Sequence, residues 1–278
     1  MEFRTLENTT VAEVLNVFNL SFLNSISPFQ LTKDEFEQKI KNESIDFKLS
    51  AGAFIDNVLV GFILHAKDLL NNKWVAYNAG TGVEPNFRGR KIIPQLYRFI
   101  LPILKNKAIN KVQLEVVTEN VIALSIYKNI GFEIKRELNC YKGSIYKKRE
   151  QKHEIRDLKN YDWLILRSFW DVNPSWQNQI TAVNNAFDKN VSIGIYDQEI
   201  LLGYMIYNPI SNKIQQLAVD QKHRRKGLGR HLLEHISTNN DKELLLNNAD
   251  NSSKDVTSFF ETLGIDIRLK QYEMSLEI

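Results

Sequence analysis

Residues 219 to 230 read Val219, Asp220, Gln221, Lys222, His223, Arg224, Arg225, Lys226, Gly227, Leu228, Gly229, Arg230. The chemistry this run could do is to hold a phosphorylated ligand. An apolar strand pattern ends at Leu217, Ala218 and Val219, and a helical pattern starts near Leu228, so the glycines fall at a helix N-terminus. Unpaired amides and the positive end of the helix dipole attract anions there without any special side chain. Gly227 and Gly229 carry no Cβ where an anion must come close to the backbone. Arg224, Arg225, Lys226 and Arg230 supply further positive charge. Two plainer readings stand beside this one: a basic helix start with incidental glycines, and a nucleic-acid patch. The second is one short cluster without interleaved aromatics or a groove-reading motif.

The same place in the first half holds Val83, Glu84, Pro85, Asn86, Phe87, Arg88, Gly89, Arg90, Lys91, Ile92 and Ile93. Lys91 and Ile93 stand where a glycine or small residue is expected, and a β-branched side chain at 93 could crowd a phosphate or alter the helix start. Further along, Asn120 and Tyr127 are seven residues apart, nearly two helical turns, so one face can present both to a channel. Asn120 as a helix cap and Tyr127 as a packed ring are the alternatives. Phe260 takes the tyrosine's place in the second half and cannot donate a proton. Glu84, Glu115 and Asp220 lie near strand ends as possible bases, although carboxylates are common on any surface. Tyr272 is a further hydroxyl near the second site. His231 and His235 have metal-binding spacing but no third ligand, so exposed helix positions explain them and no metal is expected. Trp163, Trp170 and Trp176 read as core or substrate-facing aromatics.

The elements that must position these groups occur twice. Glu2, Phe3, Arg4, Thr5, Leu6, Glu7, Asn8 recurs as Glu154, Ile155, Arg156, Asp157, Leu158, Lys159, Asn160, each a short strand running into an amphipathic helix. Thr32 with Glu35 marks a capping box. Strands follow over 47–55 and 58–66, joined across Asp56 and Asn57, then over 74–83. A helix from about Lys91, a strand over 111–117, a helix over 120–129 and a β segment from Phe132 complete the half. The second half repeats the order, with strands at 191–196, 200–207, 213–219 and 243–246, helices at 228–236 and 253–263, and a last strand at 268–277. Strands first and β-α-β units later imply an α/β fold, a mixed sheet flanked by helices. The polar run 146–152 reads as a linker between domains at 1–145 and 153–278.

The run Arg224-x-x-Gly227-x-Gly229 resembles the R/Q-x-x-G-x-G/A motif of the GNAT (general N-acetyltransferase) superfamily. The segment from Val83 to Gly89 resembles the start of the same loop. Asn120, Ala123, Tyr127, Gly131 and Phe132 reproduce that family's N-x-x-A-x-x-x-Y-x-x-x-G-F pattern. The resemblance implies two tandem GNAT-like domains, acetyl-CoA (CoA) as the cofactor and an amine as acceptor, attacking the thioester directly. It further implies that Asn120 helps hold the pantetheine arm and Tyr127 protonates the departing thiolate. Backbone amides near Val219 and Val83 would stabilise the oxyanion, with Glu84 as a base. A degenerate acyl-CoA-binding module, motivated by Lys91, Ile93 and Phe260, is the competing reading.

The 278 residues are 43% hydrophobic and 25% charged, ordinary for globular protein, and long enough for two domains. A net charge of +3 is too mild to demand a polyanionic partner, so no nucleic acid is expected. Cys140 is the only cysteine, which excludes an intramolecular disulfide and suits a reducing compartment. The first residues lack an apolar signal core and no run approaches the length of a membrane span, so a cytoplasmic protein is expected. A homodimer is compatible with all of this.

Overall fold

The computed structural model describes residues 1–278 except 24, 27, 146–152 and 238–242. The expected linker at 146–152 therefore lies outside the described residues. The chain forms two compact units: unit 1 comprises Met1–Lys135 and Tyr272–Ile278, and unit 2 comprises Arg136–Gln271.

Unit 1 begins with β1 (Glu2–Thr5), α1 (Val11–Phe22) and α2 (Lys33–Glu43). Thr10 and Thr32 each close a capping box, with Glu13 and Glu35, so both helices start where the sequence places hydroxyl and carboxylate three apart. β2 (Ala51–Ile55) and β3 (Val58–Leu70) form a hairpin across Asp56 and Asn57. Both turn residues have positive φ, 49° and 64°, which residues of this type tolerate and which suits a right-twisted hairpin. The strand expected from Phe47 starts instead at Ala51, because Asp46 and Phe47 accept backbone bonds from Leu49 and Ser50 in a turn. β4 (Lys73–Val83), α3 (Ile92–Asn106), β5 (Ile109–Val117) and α4 (Val121–Ile130) follow. The strand order is β1-β2-β3-β4-β5, and the end of the last strand of the chain completes the unit. Leu96, Ile100 and Leu104 of α3 pack against Ile63, Val112 and Leu114 of the sheet, with Tyr127, Phe132 and Met274 in the same core. On the α1 side Phe18 stacks on Phe62 at 5.8 Å.

In unit 2, β6 (Glu133–Gly143) contributes from Arg136 onward. β7 (Glu154–Asp157), α5 (Trp163–Ser168), α6 (Ile180–Asn185), β8 (Val191–Asp197) and β9 (Ile200–Asn208) precede β10 (Lys213–Val219). Then come α7 (Leu228–Ser237), β11 (Leu244–Asp250), α8 (Lys254–Leu263) and β12 (Asp266–Glu277), the strand that ends in unit 1. The order within unit 2 is β6-β11-β10-β9-β8-β7. Leu228, Leu232 and Leu233 of α7 bury against Ile193, Ile195, Met205 and Ile214. Leu166, Phe169 and Val183 pack with Tyr204 and Ile206 in a separate cluster. Both units are thus mixed sheets flanked by helices.

Strands β4 and β5 are parallel and pair from Trp74↔Ile109 to Tyr77↔Gln113. Strands β10 and β11, also parallel, pair only at Lys213↔Leu245 and Ile214↔Leu246. Beyond those points the ladders among the described residues stop, while β4 runs on to Val83 and β10 to Val219. Each unit therefore splays its two central strands apart at their C-terminal ends, in front of the following helix.

Candidate active site

The two loops beyond the splayed strands have the same backbone. A single 3-10 turn, Pro85–Phe87 or Gln221–His223, leads to an extended arginine, Arg88 at φ −64° and ψ 161° or Arg224 at φ −67° and ψ 166°. Two left-handed residues, one apart, then start the helix: Gly89 (φ 78°) and Lys91 (φ 55°) in unit 1, Arg225 (φ 61°) and Gly227 (φ 82°) in unit 2. Each loop has one glycine and one long basic side chain at these positions, in opposite order. A non-glycine residue there costs about 1–2 kcal/mol, so both loops carry similar strain.

Arg88 and Arg224 hold these loops shut. Arg88 Nε donates to the Val83 carbonyl at 3.2 Å and its Nη2 to the Ser21 carbonyl at 2.9 Å. Arg224 Nε donates to the Val219 carbonyl at 3.0 Å, its Nη2 to the Phe169 carbonyl at 3.0 Å, and its Nη1 to Asp171 at 2.7 Å. These guanidiniums tie a strand end to the C-terminal end of the first helix of their half. Arg225 pairs with Asp255, Arg230 Nε donates to buried Glu234 at 2.6 Å, and Lys226 is exposed.

The amides follow the same duplication. Asp220 N–H donates to the Leu202 carbonyl and Glu84 N–H to the Val60 carbonyl. Amides alternate along a strand, so those of Leu217 and Val219, like those of Thr81 and Val83, face the splayed side. At the helix starts the units differ. Leu228, Gly229 and Arg230 all carry N–H groups, whereas Pro94 follows Ile92 and Ile93 and removes one donor from unit 1. Around Gly227 a Cβ would meet nothing within 4 Å, so this residue opens on free space. A Cβ on Gly229 would lie 3.2 Å from the Phe259 ring, so that glycine serves helix packing.

In unit 2 the splay is a cavity of about 590 Å3. Its walls are Gln215 to Val219 of β10, Leu246 to Asp250 of β11, one face of α8 including Val256, Phe259 and Phe260, and the segment Phe169 to Pro174. The loop at Arg224, Arg225, Gly227 and the first turn of α7 closes one side. Phe260 is buried and stacks on Tyr141 at 4.6 Å. A hydrogen-bonded chain stiffens another wall: Trp170 Nε1 donates to the Tyr204 hydroxyl at 2.6 Å, which donates to Gln216 at 2.8 Å. Gln216 Nε2 donates in turn to the Asn178 carbonyl at 2.7 Å. Burial pushes the Tyr204 hydroxyl well above its ordinary pKa and keeps it protonated, against the opposing hydrogen bond from Trp170.

In unit 1, Asn120 caps α4 by accepting the Ala123 amide at 3.1 Å. Tyr127 is buried, and desolvation raises its pKa against hydrogen bonds with Thr81 and Asn78. Asn78 Nδ2 also reaches Thr81 at 2.7 Å and the Tyr97 hydroxyl at 2.8 Å. The structure thus brings Tyr127 against the splayed end of β4, with the loop Arg88, Gly89, Arg90, Lys91 and Ile92 following that strand. Glu84 is half-buried, accepts from Asn86 at 3.2 Å, and sits just ahead of the 3-10 turn. Asp220 occupies the equivalent place; the Lys222 amide, then His223, holds its carboxyl below the usual range despite opposing desolvation. Glu115 accepts the Tyr77 hydroxyl. Tyr272, expected near the second site, instead packs on the core of unit 1, because the end of β12 belongs to that unit. Among the described residues no group of three His, Cys, Asp or Glu side chains could hold a metal. Trp176 is core, while Trp170 lines the cavity.

Comparison with known sequences matches the model described as "Acetyltransferase (GNAT) family" at residues 13–132, and that described as "Acetyltransferase (GNAT) domain" at residues 188–264. The chain is a tandem member of the GNAT superfamily. No curated protein matches it in sequence. Among solved structures, a tandem GNAT protein from the clavulanic acid biosynthesis pathway is similar with a TM-score of 0.71 at 13% identity, covering 99% of this chain and 98% of that one. A GCN5-related N-acetyltransferase from Sphaerobacter thermophilus is similar with a TM-score of 0.69 at 13% identity, covering 99% and 95%. These likenesses concern the fold. In this tandem GNAT chain the splayed strands, the arginine-pinned loop and the left-handed pair occur in both halves.

Proposed function

We propose that the chain is an acyl-CoA-dependent N-acyltransferase that works in the cleft of unit 2. The observation that carries this reading is the cavity opening on the start of α7, where Gly227 leaves free space beside a row of helix-start amides. Acyl-CoA would supply an activated thioester. The amides of Leu228, Gly229 and Arg230, with the loop from Arg225 to Gly227, are suited to its diphosphate. The inward amides of Leu217 and Val219 stand where a carbonyl between the splayed strands would develop negative charge. Holding an amine and a thioester in register then supplies much of the rate enhancement. In unit 1 the corresponding roles fall to the Val83 amide for the oxyanion and to Arg90, Lys91 and Ile92 for the diphosphate. Arg88 and Gly89 shape that loop, Asn120 orders the start of α4, Tyr127 is the acid and Glu84 the base.

Phe260 supports a second reading, in which unit 2 binds acyl-CoA without transfer and Tyr127 serves chemistry in unit 1. Isothermal titration with CoA tests binding, and thiol release from acetyl-CoA across an amine panel tests transfer. Loss of turnover in Gly227→Val with Tyr127→Phe still active supports the unit 2 site. The reverse pattern supports unit 1, and CoA binding without amine-dependent thiol release leaves a binding module.

A further inference from the structure

We infer that the unit 2 cleft acylates amines that are already uncharged near neutral pH, of the α-amino or amino-sugar kind, and discriminates against lysine- or polyamine-type alkylammonium groups. This rests on the transferase reading above. Direct attack needs the amine's lone pair, so a protonated acceptor must first lose a proton to something. The cleft offers little to take it. Its carboxylates come from three different elements and each faces a guanidinium: Asp171 with Arg224 at 2.7 Å, Asp250 with Arg136 at 2.9 Å, and Asp255 with Arg225. Each of these carboxylates is thus already held by a guanidinium rather than left to an incoming amine. Burial works to raise the carboxyl of Asp250, but the hydrogen bonds from Ser252 and Arg136 outweigh it and hold it low. Of titratable groups, β9 gives the cleft only the protonated Tyr204 hydroxyl, α7 only Arg230, itself paired with Glu234, and α8 only Asp255, the tyrosine-like position on that helix being Phe260. No histidine is among the described residues lining it, since His223 is turned to Asp220 at 3.1 Å.

The same inventory denies a cation its counter-ion. With every lining carboxylate matched to an arginine, the rest of the polar wall is uncharged: carboxamides, among them Asn173, Asn178, Gln216 and Asn248, and the hydroxyls of Tyr204, Ser253 and Thr262. A desolvated ammonium without an opposing charge is costly. At pH 7 an α-amino group of pKa about 7.8 is about one part in seven neutral, while an alkylamine of pKa about 10.4 is about one part in 2,500. A cleft that takes only the neutral form therefore separates the two classes by a few hundredfold.

The test uses the full chain with acetyl-CoA and measures kcat/KM by thiol release from pH 6 to 9.5. The acceptors are glycinamide, glucosamine, propylamine and spermidine. The inference expects glycinamide or glucosamine to exceed the alkylamines by at least about 100-fold at pH 7, with each profile rising towards the acceptor's own pKa. Equal kcat/KM for propylamine or spermidine at pH 7, or one inflection shared by all acceptors, overturns the inference and leaves the transferase reading standing. CoA binding by calorimetry with no acceptor turned over removes both.

Discussion

Replacing Gly227 separates the loop's role in folding from its role in ligand binding. Its φ of 82° lies in the left-handed region, and no atom lies within 4 Å of the place a Cβ would take. Valine there meets no neighbour but is forced into a conformation that costs at least about 1–2 kcal/mol, or roughly 2–8 °C in Tm. Asparagine tolerates the same φ, so Gly227→Asn keeps most of the stability while putting a side chain in the same free space. If that space receives a diphosphate, both variants obstruct its approach to the amides of α7. Loss of one charge-assisted hydrogen bond is worth about 1.5–3 kcal/mol, or about 10- to 150-fold in Kd. Thermal unfolding and calorimetric titration with CoA on the same samples read the two effects apart. The expected pattern is a lowered Tm for valine alone and weakened CoA binding for both. Wild-type CoA affinity in Gly227→Asn would refute the assignment of the loop as the phosphate cradle.

Arg224→Ala removes the donors that hold the Val219 and Phe169 carbonyls, so urea unfolding should show a loss of about 2 kcal/mol, little of it recovered by Arg224→Lys, whose single ammonium lacks the fork. Lys91→Gly relieves a left-handed lysine at φ 55° and, after the added backbone entropy of glycine, should raise the stability of unit 1 by about 0.5–1 kcal/mol in the same assay. His65 is fully buried, and desolvation lowers its pKa to about 4, against a hydrogen bond with the Leu49 carbonyl. The unfolded chain therefore binds the proton first as pH falls. The neutral ring's contribution is complete above about pH 6.5 and is lost down to about pH 4, on the order of 3 kcal/mol in all. Thermal unfolding across that window should show a steep acid slope that His65→Gln flattens.

The order of elements was legible because local patterns repeat. The Thr32–Glu35 capping box, the Asp56–Asn57 turn and the alternation of β8, β9 and β10 are set by neighbours a few residues apart, and the structure keeps them. The loop at 224–229 was legible for the same reason, as a glycine and basic cluster between a strand and an apolar helix. Pro94, one residue past the loop positions singled out above, raised no expectation, although a proline there removes a donor from the first turn of α3. Other features carried no local signal. Strand β12 ends in unit 1 because Tyr272 and Met274 find their core there, a choice made by long-range burial. Arg224 reads as a phosphate ligand by charge, yet its guanidinium is taken up by carbonyls 5 and 55 residues away in sequence.

The sequence by itself determined the family, the twofold repeat and the position of the helix-start loop, since these rest on residue type and short spacing. Only the tertiary structure decided that both loops share one backbone despite Lys91 and Ile93, that Gly229 serves packing, and that the cleft's carboxylates are matched to arginines. Those facts depend on which distant groups meet once the strands splay, and a one-dimensional pattern holds no record of that meeting.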